Sequence, residues 1–308
     1  MARQPRATKP GAERAPFRPD HIVTLDIEGE HDRLLAYLLE TMDDRKRTTV
    51  KDYLKYGQVM VNGQVTRRWD MPLHAGDTVM VNTSRAFQTF SHPRLRIVYE
   101  DEAVIVINKG YGLLSMGTDS KRDGTAYSLL REYVKRVDPR QKLFIVHRLD
   151  QHTSGLMMFA KTAEAKDKMQ HNWNNMVLER KYAAIVKGRP EPPEGVIKSY
   201  LAENTAHEVY STDNPEEGKQ AVTRYRTLRS RGAYSLLELE LDTGRKNQIR
   251  VHLKDLGFPI VGDRRYGAET SPIHRLALHA STLRFIHPMT GRDMNFSCPL
   301  PPCFGKLV

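Results

Sequence analysis

The residues best able to do chemistry crowd into one stretch, HRLDQHTSGLMMFAK, at positions 147–161. It sets His147, Arg148, Asp150, His152, Thr153, Ser154 and Gly155 between two apolar runs, LFIVHRL and GLMMFAK, that read as strands. A polar loop held between buried strands is where a scaffold can present a reactive group. Asp150 is the candidate: a carboxylate there could act as nucleophile, general base or metal ligand. By residue type alone it could equally cap the amides of its own turn.

Other chemistries find little support in the spacing. His147 and His152 lie five apart across a loop, and Cys298 and Cys303 have no second pair, so no zinc pattern emerges. A glycosidase needs two cooperating carboxylates, and Asp150 has no acidic neighbour within the motif. Ser154 lacks the strand–elbow–helix setting of a hydrolase nucleophile. No phosphate-binding glycine loop of the Walker or dinucleotide type occurs.

The elements around the loop must position it. IVYEDEAVIVINK reads as two strands joined by a turn. GTAYSLLREYVKRV reads as a helix with Tyr127, Leu130, Tyr133 and Val134 on one side, and TAEAKDKMQHNWNN as another. KYAAIVKG, TRYRTLRS and YSLLELELDTG read as strands, and NQIRVHLKDLG as a helix with a glycine stop. Neighbouring strands without a regular βαβ alternation predict an α+β fold with a mixed, largely antiparallel sheet and flanking helices.

A smaller unit precedes it. Leu34, Leu35, Leu38, Leu39 and Met42 fall at helical spacing, and TTVKDYLKYG predicts a second helix with Val50, Tyr53 and Leu54 on one face. VMVNGQV carries Asn62-Gly63 between β-branched runs, a hairpin signal, and GDTVMVN adds a short strand. Arg47, Lys51 and Lys55 lie four apart and form one basic stripe, extended by Arg45 and Lys46. Such a stripe suits a phosphate backbone or a plain solvated face. The expected domains are a flexible basic tail over 1–20, a small α/β domain over 21–84, a linker over 85–95 and a catalytic domain over 96–308.

Composition narrows the partner. The 308 residues carry 48 Lys and Arg against 37 Asp and Glu, a net charge of +11, which favours a polyanion such as nucleic acid. With 39% hydrophobic residues the chain is not disordered throughout. No apolar run approaches the roughly 18 residues of a membrane span, and MARQPRATKPGAERAPFRP has no secretory core, so no membrane partner is expected. Two cysteines fit a reducing cytosol, and the expected location is cytoplasmic.

HRLDQHTSGLMMFAK resembles the signature of RluA-type pseudouridine synthases. EDEAVIVINKGYGLLSM, Arg180-Lys181-Tyr182 with Gly188, GKQAVTRYRTL, TGRKNQIRVHL, GDRRYG and RLALHASTLRFIHPMTG resemble further blocks in the family's order, over about residues 97–300. The segment with Arg33-Leu34-Leu35, Tyr56-Gly57, Val59, Val61-Asn62-Gly63, Leu73 and Gly76-Asp77 resembles an S-four-like RNA-binding domain, in which the second helix and the hairpin grip RNA.

The resemblance implies a pseudouridine-synthase-like fold that isomerises uridine in RNA with no cofactor and no metal. It makes Asp150 the essential aspartate, either attacking C1′ or taking the C2′ proton. It maps the active-site tyrosine onto Tyr182 and the aspartate's basic partner onto Arg250. Ile249 or Leu253 would wall the base. Arg148 would fill the gap left by the everted nucleotide, and Arg180, Lys181, Arg245 and Lys246 are further phosphate candidates. Arg45, Arg47, Lys51 and Lys55 would bind RNA from the small domain.

The sequence departs from the family pattern twice, with Asn247 in place of a usual His and with Asn108-Lys109-Gly110 in place of Asn-Lys-Pro, which suggests a looser turn. The expected substrate is large-subunit ribosomal RNA of the 23S type, acted on by a monomer. The alternatives are a tRNA-directed synthase, a non-catalytic RNA-binding or ribosome-assembly factor, and a glycosylase or nuclease.

Overall fold

The computed structural model describes residues 21–87, 90–117 and 123–308. The tail expected over 1–20 lies outside these residues, as do positions 88 and 89 of the expected linker. The chain divides into two compact units, Met1–Thr89 and Phe90–Val308. Among the described residues no helix is long and apolar enough to cross a membrane.

The first unit contains β1 (Ile22–Asp26), α1 (Leu34–Thr41), α2 (Arg47–Lys55), β2 (Val59–Val61), β3 (Gln64–Thr66) and β4 (Thr78–Asn82). The strands form one antiparallel sheet in the order β1-β4-β2-β3. Leu34 and Leu38 of α1, Val50 and Leu54 of α2, and Val59, Val79 and Val81 of the sheet make its core. Asn62 and Gly63 take positive φ, 48° and 77°, as a two-residue hairpin turn between twisted strands requires. The sequence reading did not foresee β1, whose residues IVTLD alternate between half-buried and exposed without one fully buried side chain.

The second unit opens with β5 (Leu95–Glu100), β6 (Val104–Lys109), α3 (Ala126–Val137), β7 (Phe144–Ile145) and β8 (Ser154–Ala160). There follow α4 (Ala163–His171), α5 (Trp173–Met176), β9 (Val177–Lys187), β10 (Glu194–Glu203), β11 (Val209–Thr212), β12 (Lys219–Arg231) and β13 (Tyr234–Leu241). The chain ends with α6 (Gln248–Asp255), β14 (Leu278–Ile286) and β15 (Asp293–Ser297), followed by a short 3₁₀ turn. Eleven strands form one mixed sheet in the order β11-β10-β12-β13-β9-β14-β8-β6-β5, with β7 added to β8 and β15 to β14.

Both faces of the central strands are covered, which explains their continuous apolar runs. Ile105, Ile107, Met157 and Phe159 pack on one side with Leu130 of α3 and Leu253 of α6. Their neighbours Val104, Val106, Leu156 and Met158 pack on the other with Met169 of α4 and Phe285.

Among the described residues only the β8–β14 pair is parallel, joining Ser154 to His279 and Gly155 to Ala280. Gly155 makes that junction possible. Its φ is +114°, and a Cβ there would lie 2.1 Å from the carbonyl oxygen of Ala280. The glycine that ends the polar loop thus brings β8 against β14, next to β9.

Three local readings need correction. The strand expected in LFIVHRL shrinks to Phe144–Ile145, because the chain leaves the sheet to build the polar loop. The helix expected in TAEAKDKMQHNWNN breaks at Asn172 into α4 and α5. Strands β10, β11, β14 and β15 went unread, since polar residues interrupt their apolar pattern.

Candidate active site

Asp150 sits on the loop between β7 and β8, and the segment after β6 grips the loop on both sides of it. The buried Ser115 donates its Oγ–H to the Leu149 carbonyl at 2.5 Å and accepts the Leu149 N–H at 3.2 Å. On the other side, the Gln151 carbonyl accepts the Gly112 N–H at 3.0 Å and a bond from Lys109 Nζ at 3.1 Å.

Lys109, at the end of β6, is fully buried. Its Nζ also donates to the carbonyls of Leu113, at 2.8 Å, and Gly110, at 3.3 Å. Burial pulls its pKa down to about 7; the negative charge of Asp150 pushes it back up and Arg275 lowers it further. Three carbonyl acceptors match the three donors of an ammonium and so favour the charged form.

The turn after Lys109 is tied down where a looser one was expected. The Gly110 N–H donates to the Arg94 carbonyl at 2.7 Å, and a Cβ at Gly110 would lie 2.9 Å from that same oxygen. A proline in this position would lose the donor.

Arg250 projects from the first turn of α6, and its Nη1 lies 3.6 Å from Asp150 Oδ2. The Arg250 side chain is 11% exposed and that of Asp150 23%. The principal partner of Arg250 is a different acid. Its Nε and Nη2 donate to both oxygens of Asp263 at 2.7 and 2.8 Å, and Asp263 is buried. Burial works against the guanidinium charge, but the Asp263 hydrogen bonds and charge outweigh it, and the pKa of Arg250 is raised.

Asn247, the residue before α6, has φ 54°, a left-handed conformation that asparagine tolerates. Its Oδ1 accepts from Arg250 Nη1 at 3.0 Å, and its Nδ2 donates to the Tyr266 hydroxyl at 3.0 Å. The Tyr266 ring lies 4.8 Å from the Arg250 guanidinium. A non-titrating side chain therefore helps to aim the cation here.

Tyr182 stands on β9, between Leu239 of β13 and Ala280 of β14, and is buried. It lines a small pocket together with Asp150, Arg250, Leu278 and Ile249. Burial raises its phenol pKa, Arg180 opposes the rise, and the charge of Asp150 adds to it. Leu253, the other residue considered for the wall, belongs to the core. Above the pocket opens a cleft of about 720 Å³, lined by Arg148, Asp150, Lys246, Arg264, Arg265 and Arg275 among others.

The remaining candidates separate. Arg148 is exposed and borders both pocket and cleft. Arg245 borders the pocket with its Nε bonded to the Gln220 carbonyl, and Lys246 borders the cleft in an ion pair with Glu203. Arg180 lies against Trp173, 5.5 Å from its ring, and donates to the Leu241 carbonyl; Lys181 is paired with Glu179. His147 accepts the Met158 N–H at 3.0 Å, and burial, with help from Arg180, lowers its pKa to about 3, so it stays neutral. In the first unit Arg45, Arg47, Lys51 and Lys55 are all exposed, Arg45 beside Asp44 at 3.0 Å.

Sequence reasoning missed Asp263, Lys109 and Ser115 as parts of the site. Asp263 lies in the GDRRYG block, and the other two in the first block, but nothing in their type or spacing announced these contacts. Among the described residues no group of three or more His, Cys, Asp or Glu side chains is placed to hold a metal ion.

Asp150 lies beside an arginine that a second, buried acid, Asp263, already holds bidentately, and it shares a pocket with a buried tyrosine on the middle strand of a wide mixed sheet, which suits an isomerase that works with one partly exposed carboxylate. The family model described as RNA pseudouridylate synthase matches residues 103–255. The chain is 34% identical over 293 residues to a protein of Bacillus subtilis titled uncharacterized RNA pseudouridine synthase YlyB, covering 93% of this chain and 96% of that one. It is 31% identical over 293 residues to ribosomal large subunit pseudouridine synthase D of Escherichia coli K12, covering 90% and 89%. Among solved structures, human RNA pseudouridylate synthase domain containing 4 is similar at a TM-score of 0.56 and 28% identity, over 68% of this chain and 90% of that one.

Fold and matches define an RNA pseudouridine synthase, an enzyme of the isomerase class. Within that class the chain belongs to the RluA family.

Proposed function

We propose that this enzyme makes pseudouridine in large-subunit ribosomal RNA, with Asp150 as its essential acid, Tyr182 as the ring facing the base and Arg250 as the cation that aims Asp150. The observation that carries the site assignment is that these three side chains, from a loop, a strand and a helix, line one pocket. The substrate assignment is supported by the relatives titled ribosomal large subunit pseudouridine synthase D, 31–32% identical to this chain.

The target uridine leaves its stack and enters through the cleft. The N1–C1′ bond breaks, the uracil turns, C5 bonds to C1′, and the C5 proton is lost while N1 gains one. The product has the mass of the substrate. Asp150 either attacks C1′ as the uracil leaves or takes the C2′ proton to give a glycal-like species; its position serves both. Arg250, 3.6 Å away, orients the carboxylate in either case. Tyr182 stacks on the uracil, and its hydroxyl is the group available to relay the C5 proton.

Arg148, exposed at the cleft, takes the place of the everted nucleotide, and Arg245 and Lys246 meet neighbouring phosphates. Arg180 and Lys181, already engaged, are the weaker phosphate candidates. Arg45, Arg47, Lys51 and Lys55 dock RNA on the first unit. A non-catalytic RNA-binding factor would have no need of the Lys109 and Ser115 grip around Asp150.

The deciding experiment maps pseudouridines by carbodiimide adduct stops in RNA from cells lacking the protein. Sites lost from large-subunit ribosomal RNA are expected. Sites lost from transfer RNA alone would overturn the substrate assignment.

A further inference from the structure

We infer that Trp69 and Tyr56 of the first unit form a stacking site for unpaired bases of the RNA, separate from the pocket that takes the target uridine. The inference rests on the RNA-directed activity and adds a second contact with different chemistry.

Both rings are 54% exposed, the highest values among the exposed large apolar side chains of the described residues. Neither ring belongs to the core of its unit. Each carries a cation: the Arg33 guanidinium lies 5.9 Å from the centre of Trp69, and Lys55 Nζ lies 5.0 Å from that of Tyr56.

The two rings belong to one stretch of surface. Tyr56 directly follows α2, whose exposed side carries Arg47, Lys51 and Lys55. Arg67 returns to that helix end, its Nε donating to the Lys55 carbonyl at 3.3 Å. Its Nη2 would lie 3.1 Å from a Cβ built on Gly57. Trp69 is two residues further on, at most about 7 Å of chain, and its carbonyl accepts the Leu35 N–H at 3.0 Å. Two ring–cation pairs, Tyr56 with Lys55 and Trp69 with Arg33, are therefore linked through Arg67.

Charge placement selects the occupant. Residues 1–89 hold 14 Lys and Arg against 12 Asp and Glu, so this unit has little bulk positive charge to attract RNA. Two of its cations, Arg33 and Lys55, lie against the two exposed rings. Cations between exposed rings suit a strand whose phosphates and bases alternate. A fully paired helix hides its base faces and could use only the cations. The ligand class is RNA with unpaired bases, in a loop, a bulge or a single strand.

The test uses the full chain labelled with 5-fluorotryptophan. It contains two tryptophans, Trp69 and Trp173, and the Trp69 resonance is the one lost in Trp69→Phe. A hairpin RNA with an open loop should shift that resonance, and a blunt duplex of equal length should leave it in place. Trp69→Ala should weaken hairpin binding by about 5- to 100-fold, the range for losing one base–aromatic stack. The salt slope and the rate at saturating RNA should not change, and Trp69→Phe should recover most of the affinity. A resonance that stays put while hairpin RNA binds, or shifts equally with duplex, would overturn the inference. So would a shift on raising protein concentration without RNA, which would mean that a second copy covers the rings. A Trp69 shift in a protein that releases no C5 proton would support the stacking site and count against the catalytic assignment instead.

Discussion

Arg250 turns the Nε–Nη2 edge of its guanidinium to Asp263, at 2.7 and 2.8 Å, and meets Asp150 with the remaining nitrogen at 3.6 Å. The bidentate partner is the buried acid; the acid proposed to react is the one held more loosely. Asp263→Asn keeps the shape but removes the charge that anchors Arg250. Breaking a buried pair in this way costs about 3–5 kcal/mol. We expect a lower unfolding midpoint in urea and a fall in kcat with little change in KM. An unchanged kcat in a folded Asp263→Asn variant would show that Arg250 needs no anchor.

Lys109→Met removes the ammonium from three carbonyls, one of them belonging to Gln151 beside the catalytic candidate. The buried Leu113 carbonyl, left without this donor, costs about 1–3 kcal/mol. The variant should lose stability and at least about tenfold in kcat, because the loop on which Asp150 sits keeps only its Ser115 and Gly112 ties. Circular dichroism melting and single-turnover rates check the two effects separately.

Three histidines, the buried His252 and His279 and the half-buried His147, predict how stability responds to acid. Burial lowers the pKa of His147 to about 3 and those of His252 and His279 to about 4, against 6.5 as the ordinary value. The folded chain therefore resists protons that the unfolded chain accepts, so unfolding takes up protons below pH 6.5. The stability they contribute is complete above about 6.5 and is lost as pH falls toward 4 and then 3. Urea midpoints measured from pH 7.5 to 4.5 should fall steadily below 6.5. A midpoint that rose on acidification through this window would contradict the assignment of these histidines as neutral.

The basic stripe gives a prediction about salt. Arg47→Glu with Lys51→Glu should weaken RNA binding and lower the slope of log K against log salt by about 1.4 to 1.8, at roughly 0.7–0.9 for each phosphate no longer neutralised. Filter binding from 50 to 300 mM salt reads the slope. An unchanged slope would return these residues to ordinary solvated surface.

Part of this was legible in the sequence for a physical reason. β6 and β8 are covered on both faces, so their apolar runs were plain, and the polar loop stood out between β7 and β8. Arg250 and Tyr182 were named by resemblance, and the structure lines one pocket with both and Asp150. Asp263 could not be read because its value lies in a contact across 13 residues of chain, and aspartate in a glycine-flanked turn looks ordinary. Lys109 was read only as part of a loosened turn, and it is fully buried. Gly110 looked like a loosened proline position, but its N–H and the room it leaves are both used by Arg94.

The central claim is that one carboxylate performs the isomerisation, and proton release from C5-tritiated uridine in RNA measures it directly. Asp150→Ala and Asp150→Asn should bind RNA as the parent does and release no tritium above background. Tritium release at an appreciable fraction of the parent rate by either folded variant would contradict the account.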